Sequence, residues 1–186
     1  MASPADVLKL IKDQEVKFVD LRFTDTRGKE QHVSVPAKQF TADKFEAGHA
    51  FDGSSIAGWK GIQASDMLLM PDAGTANIDP FMDETTLLIT CDVVEPSDGK
   101  GYERDPRSLA KRAEAYLKSS GMGDTAYFGP EPEFFIFDDV RYDQNEHEGY
   151  YHIDSAEGRW NTGRAENPNL GYKIRHKEGY FPVAPL

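Results

Sequence analysis

Two carboxylates stand two residues apart in Gly129-Pro130-Glu131-Pro132-Glu133-Phe134-Phe135-Ile136-Phe137. In a strand, residues i and i+2 share a face and leave the backbone about 6.6 Å apart, so Glu131 and Glu133 would repel unless a cation compensates them. Hard oxygen donors of this kind suit Mg²⁺ or Mn²⁺. The same pair could serve as the acid and base of a glycosidase. It could also be two solvated carboxylates at a strand mouth, and the E-x-E spacing alone does not decide among the three.

The second stretch with chemical potential is Phe51-Asp52-Gly53-Ser54-Ser55-Ile56-Ala57-Gly58-Trp59. Asp52, Ser54 and Ser55 supply acceptor oxygens, while Gly53 and Gly58 permit backbone angles closed to other residues. One reading is an Asx turn beside a half-exposed Trp59. The other is a small-cation pocket, since a carboxylate, hydroxyls and an aromatic face together suit a group such as ammonium.

These groups need elements to hold them. The aromatic and β-branched run from Tyr127 to Phe137 predicts a strand buried on both faces, with Pro132 at its start, edge or bulge. Ser3 before Pro4 predicts a helix from residue 4 to about 14 that buries Val7, Leu8, Leu10 and Ile11. Val19, Leu21 and Phe23 alternate with Asp20 and Arg22, and a turn at residues 24–28 returns the chain through residues 32–35, which predicts a hairpin. Residues 41–47, closed by Gly48, read as a short helix, and residues 85–94 as another strand. Glu95-Pro96-Ser97-Asp98-Gly99-Lys100-Gly101 reads as a boundary, giving units of 1–99 and 100–186. Asp105 before Pro106 opens a helix to about Ser120, with Leu109, Ala113, Tyr116 and Leu117 on one face. Residues 141–169 read as loops with short strands, and the second unit reads as cut short.

Composition narrows the function. A net charge of −11 in 186 residues argues against a nucleic-acid surface, which needs clustered cations. With neither a signal core nor an apolar run long enough to span a bilayer, a cytoplasmic location is expected. The lone Cys91 lies in an apolar strand pattern and reads as buried.

The motifs V-K-F-V-D-L-R-F-T-D-T-R-G-K-E-Q-H, F-D-G-S-S-I-A-G-W, D-M-L-L-M-P-D, R-D-P-R, F-G-P-E-P-E-F-F-I-F-D and K-x-G-Y-F-P occur in that order along the chain. Together they closely resemble the N-terminal part of bacterial type I glutamine synthetase. The resemblance implies an α+β architecture, with an N-terminal β-grasp domain followed by the opening segment of the catalytic domain. It further implies ATP-dependent joining of ammonia to L-glutamate through γ-glutamyl phosphate, with two divalent cations, Mg²⁺ or Mn²⁺, at each site. By motif, Glu131 and Glu133 match ligands of the two metals. Asp52 and Ser55 match residues of an ammonium pocket in the neighbouring subunit, Asp52 helping to remove a proton, and Trp59 matches the aromatic of that intersubunit loop. Tyr180 matches a tyrosine of the ammonium site. The implied partners are identical subunits in a ring, a dodecamer in the family.

Two departures stand out: Glu178 replaces a glycine usual before the Gly-Tyr-Phe-Pro motif, and the chain closes Val-Ala-Pro-Leu where Val-Pro-Pro-Val is usual. The family's remaining metal ligands, ATP contacts and glutamate-binding arginines lie beyond these motifs, so the 186-residue chain is expected to be inactive alone. The alternative expectation is a non-catalytic truncated relative that assembles with full-length subunits.

Overall fold

The computed structural model describes residues 2–155 together with Gly158, Trp160 and Val183; Tyr180 and Glu178 lie outside the described residues. The chain divides into two compact units, residues 1–127 and 128–186, each treated by itself below.

The first unit opens with α1 (Pro4–Asp13). Its start is fixed reciprocally: Asp6 N–H donates to Ser3 Oγ at 3.2 Å and Ser3 N–H donates to Asp6 Oδ2 at 2.8 Å, which satisfies two otherwise orphaned donors. Val7 is buried, and Leu8, Leu10 and Ile11 pack partly buried against the same core. β1 (Phe18–Thr24) and β2 (Glu30–Pro36) form the expected antiparallel hairpin. In the turn Asp25 accepts from the N–H groups of Arg27 (2.9 Å) and Lys29 (3.0 Å) and from the Gln31 amide at 2.9 Å. The Gln31 bond first, and then the two backbone donors, hold its carboxyl below the usual carboxylate range.

After α2 (Lys44–Ala47) come β3 (His49–Asp52), β4 (Asp66–Pro71), the two-residue β5 (Asn77–Ile78) and β6 (Thr86–Val94). The sheet order is β2-β1-β6-β4-β3, with β5 also paired to β6. β1 and β6 run parallel at its centre, Leu21 opposite Ile89, while all other pairs are antiparallel. This α+β arrangement closes over Val19, Leu21, Leu69, Leu87, Ile89 and Val93, each wholly buried. Removing such a side chain from water stabilises the fold by about 1.5–3 kcal/mol.

The 95–101 stretch is a tight reversal in which Glu95 N–H donates to Lys100 C=O at 2.9 Å and Tyr102 N–H returns to Val93 C=O at 2.8 Å. α3 (Pro106–Ser120) follows. Its N-cap Asp105 is fully buried and accepts from Ser108 N–H (3.0 Å), Ser108 Oγ (2.6 Å), Arg107 N–H (3.2 Å) and Val93 N–H (3.4 Å), so the cap also ties the helix to β6. Arg107 bridges Asp92, at 2.8 Å, and Asp72. The expected apolar face of α3 is not covered: Leu109 and Tyr116 are exposed, and Ser108 is the helix's buried residue. The helix is held instead by its capped end and by charges on its first two turns.

In the second unit, β7 (Asp139–Gln144) and β8 (Gly149–Asp154) form a hairpin with Tyr142 opposite Tyr151. The Asn145 side chain accepts from the N–H groups of His147 and Glu148, both at 3.1 Å, and sets the turn. The strand expected from Tyr127 to Phe137 is overturned. Residues 125–137 make no β ladder, and Phe134, Phe135 and Ile136 are 78%, 82% and 76% exposed. A strand buried on both faces needs paired neighbours and packed layers, and no described strand lies beside this run. Pro130 and Pro132 also withhold two donors that pairing would require.

Candidate active-site loop

β3 ends at Asp52, opposite Asp66 of β4, and the chain turns at once through a single 3₁₀ turn, Gly53–Ser55. Asp52 Oδ1 accepts from Ser54 N–H at 2.8 Å and Ser54 Oγ at 2.6 Å, so the Asx turn expected here is present. Those two donors, hydroxyl first, hold the Asp52 carboxyl below the usual carboxylate range, and the Ser55 hydroxyl adds to them. Asp52 and Ser55 are both exposed and both at the strand end. The loop therefore presents an ionised carboxylate and a hydroxyl to solvent.

Gly53 is required by space. A Cβ there would stand 2.3 Å from Met67 Sδ and 2.8 Å from Met67 Cγ, with the Ser65 carbonyl 3.2 Å away. Its N–H donates to that carbonyl at 2.7 Å, drawing the loop tight against β4. Gly58 is required by angle, with φ of +82° and open space around it.

Trp59 is 6% exposed, contrary to the half-exposed position expected of it. Its ring packs against Phe23, Phe51 and Tyr102 at centroid distances of 5.6, 6.4 and 5.1 Å, and Lys60 Nζ lies 5.0 Å from the Tyr102 centroid. An indole this deep needs a partner for its one N–H, and Trp59 Nε1 donates to Thr26 Oγ1 at 2.8 Å.

Glu131 and Glu133 belong to the second unit, in the exposed run outside any ladder. Their donor chemistry fits a hard divalent cation. Among the described residues neither forms an ion pair, and no group of three or more His, Cys, Asp or Glu side chains converges there to hold a metal. Two carboxylates are fewer ligands than Mg²⁺ or Mn²⁺ takes. Among the described residues no helix is long and apolar enough to cross a membrane.

Two polar clusters escaped the reading of the sequence. Thr26 and Arg104 sit in the hairpin turn and before α3, and both contact the loop: Arg104 donates to the Gly58 carbonyl, and Thr26 Oγ1 donates to the Arg104 carbonyl at 3.3 Å. On the sheet, Asp20 is 2% exposed and accepts from Ser34 Oγ (2.7 Å) and Arg22 Nε (2.9 Å), with His32 Nδ1 also 2.7 Å away. Burial opposes ionisation of Asp20, yet these donors together hold its carboxyl below the usual range. The available signal was an aspartate interrupting an apolar β1 with a serine and a histidine across the hairpin.

A mixed sheet that carries an acidic loop at one strand end, followed by a capped helix, defines an α+β protein. The family model described as "Glutamine synthetase, beta-Grasp domain" matches residues 15–96, and that for "Glutamine synthetase, catalytic domain" matches residues 103–186. The chain belongs to the glutamine synthetase family. It is 60% identical over 185 residues to a glutamine synthetase of Methylococcus capsulatus and 57% identical to that of Escherichia coli, covering 99% of this chain in each case. It is 67% identical to a Cupriavidus pinatubonensis protein named 3-hydroxylaminophenol mutase, again over 185 residues and 99% of this chain. The chain spans 39% of the length of these relatives. A solved glutamine synthetase of Plasmodium falciparum superposes with a TM-score of 0.67 at 26% identity, over 98% of this chain and 36% of that one.

Proposed function

We propose that this chain supplies the ammonium-handling loop and the first metal carboxylates of an ATP-dependent ligase that joins ammonia to L-glutamate. The observation that carries the reading is the Asp52 turn, where an exposed carboxylate is kept ionised by Ser54 and Ser55 at a fixed strand end. In this reading ATP phosphorylates the γ-carboxylate of glutamate, and ammonia then attacks the carbonyl carbon of γ-glutamyl phosphate and expels phosphate. Asp52 attracts ammonium by charge and accepts the proton whose loss exposes the nitrogen lone pair. The Ser55 hydroxyl and Tyr180 complete the ammonium contacts.

Glu131 and Glu133 would each hold one of two Mg²⁺ or Mn²⁺ ions. When bound, such ions offset the negative charge of the transferring phosphoryl group. In the relatives, the length that this chain does not span is where further ligands, ATP contacts and glutamate contacts would lie. The domain boundary is placed at residues 99 and 100, supported by family matches that stop at 96 and resume at 103. The protein acts in the cytoplasm. Its subunits form a ring, with Asp52, Ser55 and Trp59 serving the neighbour's site through a head-to-tail contact.

Mixing tests this arrangement. Full-length subunits carrying Asp52→Ala and others carrying Glu133→Ala are each inactive, yet after random reassembly roughly a quarter of sites receive both intact groups. Glutamine formed only on mixing supports the reading. Mixed rings, confirmed by mass, that stay inactive remove Asp52 from the neighbour's site. The 67% identity to a protein named as a mutase favours a second reading, rearrangement of hydroxylaminophenols, which conversion of 3-hydroxylaminophenol without ATP or glutamate would support. A non-catalytic truncated relative that assembles with full-length subunits is the third, and recovery of the 186-residue chain within rings of full-length subunits would favour it.

A further inference from the structure

We infer that Thr26, Trp59 and Arg104 form a clamp whose task is to position the Asp52–Ser55 turn for ammonium. The inference rests on the reading of Asp52 given above; it adds Thr26 and Arg104 to that reading and gives Trp59 a positioning role.

The hydrogen bonds close a ring. Trp59 Nε1 donates to Thr26 Oγ1 at 2.8 Å, Thr26 Oγ1 donates to the Arg104 carbonyl at 3.3 Å, and the Arg104 guanidinium donates to the carbonyl of Gly58, the residue before Trp59. Each member is anchored in a different rigid part. Thr26 sits in the turn that Asp25 ties together with three bonds. Trp59 is buried among Phe23, Phe51 and Tyr102. Arg104 precedes Asp105, the fully buried cap of α3. At the other end of the loop, Gly53 N–H is fixed to Ser65 C=O at 2.7 Å. Residues 54–58, Ser55 among them, are thus held at both ends across a short span, while Asp52 is tied to them by its bonds from Ser54.

The Thr26 hydroxyl is the acceptor for the single N–H of a buried indole, and it is a donor at the same time. Valine has the same shape and neither function. A site that must hold a small cation loses about tenfold for each lost hydrogen bond of ordinary strength, and misplacement of the loop should therefore appear in ammonium use before it appears elsewhere.

The test has two readouts. In the 186-residue chain, Thr26→Val should speed exchange of the Trp59 indole N–H about tenfold, and Thr26→Ser should restore it. In the full-length enzyme, Thr26→Val and Arg104→Ala should each raise KM for ammonium about tenfold, while KM for glutamate changes little and Thr26→Ser behaves as wild type. Arg104→Ala keeps the test open should Thr26→Val misfold. Equal changes in KM for ammonium and glutamate, or none, would overturn the clamp if an Asp52→Asn control still impairs ammonium use. If Asp52→Asn leaves ammonium use untouched, the functional reading fails and the positioning role fails with it, whatever the exchange rates show.

Discussion

Gly53→Ala isolates the packing that places the Asp52 turn. The new Cβ would lie 2.3 Å from Met67 Sδ and 2.8 Å from Met67 Cγ, whereas non-bonded carbons rest at about 3.5–4.0 Å. The sulfur must therefore retreat by more than about 1 Å. Methionine torsions are soft, but Met67 is wholly buried, and the closely placed Cγ stands too near its own backbone to swing away. The Ser65 carbonyl at 3.2 Å blocks a compensating shift of the loop. An overpacking cost of about 2 kcal/mol follows. Gly58→Ala meets nothing within 4 Å and should cost about 1 kcal/mol through its φ of +82° alone. Urea unfolding read by Trp59 emission, in a Trp160→Phe background, reports on the first unit. In a Met67→Ala background, where the obstructing atoms are gone, Gly53→Ala should be nearly neutral, so the two changes couple strongly. A single-variant cost below about 0.5 kcal/mol, or a cost unchanged by Met67→Ala, would refute the steric argument.

Asp105→Ala removes a helix cap and strands the buried Val93 N–H and Ser108 hydroxyl, and should cost about 2–4 kcal/mol by the same unfolding assay. Cys91 is wholly buried, and burial first, with Asp92 adding, pushes its thiol up to about 12. Iodoacetamide should leave it unmodified at neutral pH until urea opens the first unit. His49 has its pKa lowered from 6.5 by burial first and then by Lys44. Its neutral form is the one the fold favours, so its contribution is present above that value and lost as pH falls through the depressed folded value. His49→Gln should flatten the decline in stability between about pH 7 and pH 5, and an unchanged slope would count against His49 as its source.

Legibility of the chain followed the range of the interactions involved. α1 was readable from Ser3 and Pro4, and α3 from Asp105 and Pro106, because a cap and a proline act within one turn. The β1–β2 hairpin was readable from alternation about a glycine turn. β3 and β4 were missed, although His49-Ala50-Phe51-Asp52 and Asp66-Met67-Leu68-Leu69-Met70-Pro71 are short strands in the sheet. Four residues, or six that end in a proline, carry little periodicity, and their pairing across a 13-residue loop leaves no local mark. In the loop itself, the acceptor oxygens of Asp52 and the special backbone angle of Gly58 were legible, whereas Gly53 is required by space and not by the angle its type suggested. The clamp was not, since Thr26 and Arg104 are 78 residues apart in sequence.

The aromatic run shows what a pattern can and cannot carry. Phe135 and Phe137 do share a side, stacking at 6.0 Å with rings 7° from parallel, as two-residue periodicity requires. Alternation states which side chains would share a face, but burial is a property of whatever lies against that face. Among the described residues nothing covers this run, and its apolar side chains stay in solvent. The same distinction separates the two halves of the proposed site. Asp52 is placed by contacts that the described sheet contains in full, so its carboxylate has a defined position and a cause for its ionisation. Among the described residues no layer packs against Glu131 and Glu133 to fix their separation. A metal site requires donor chemistry and a fixed separation together.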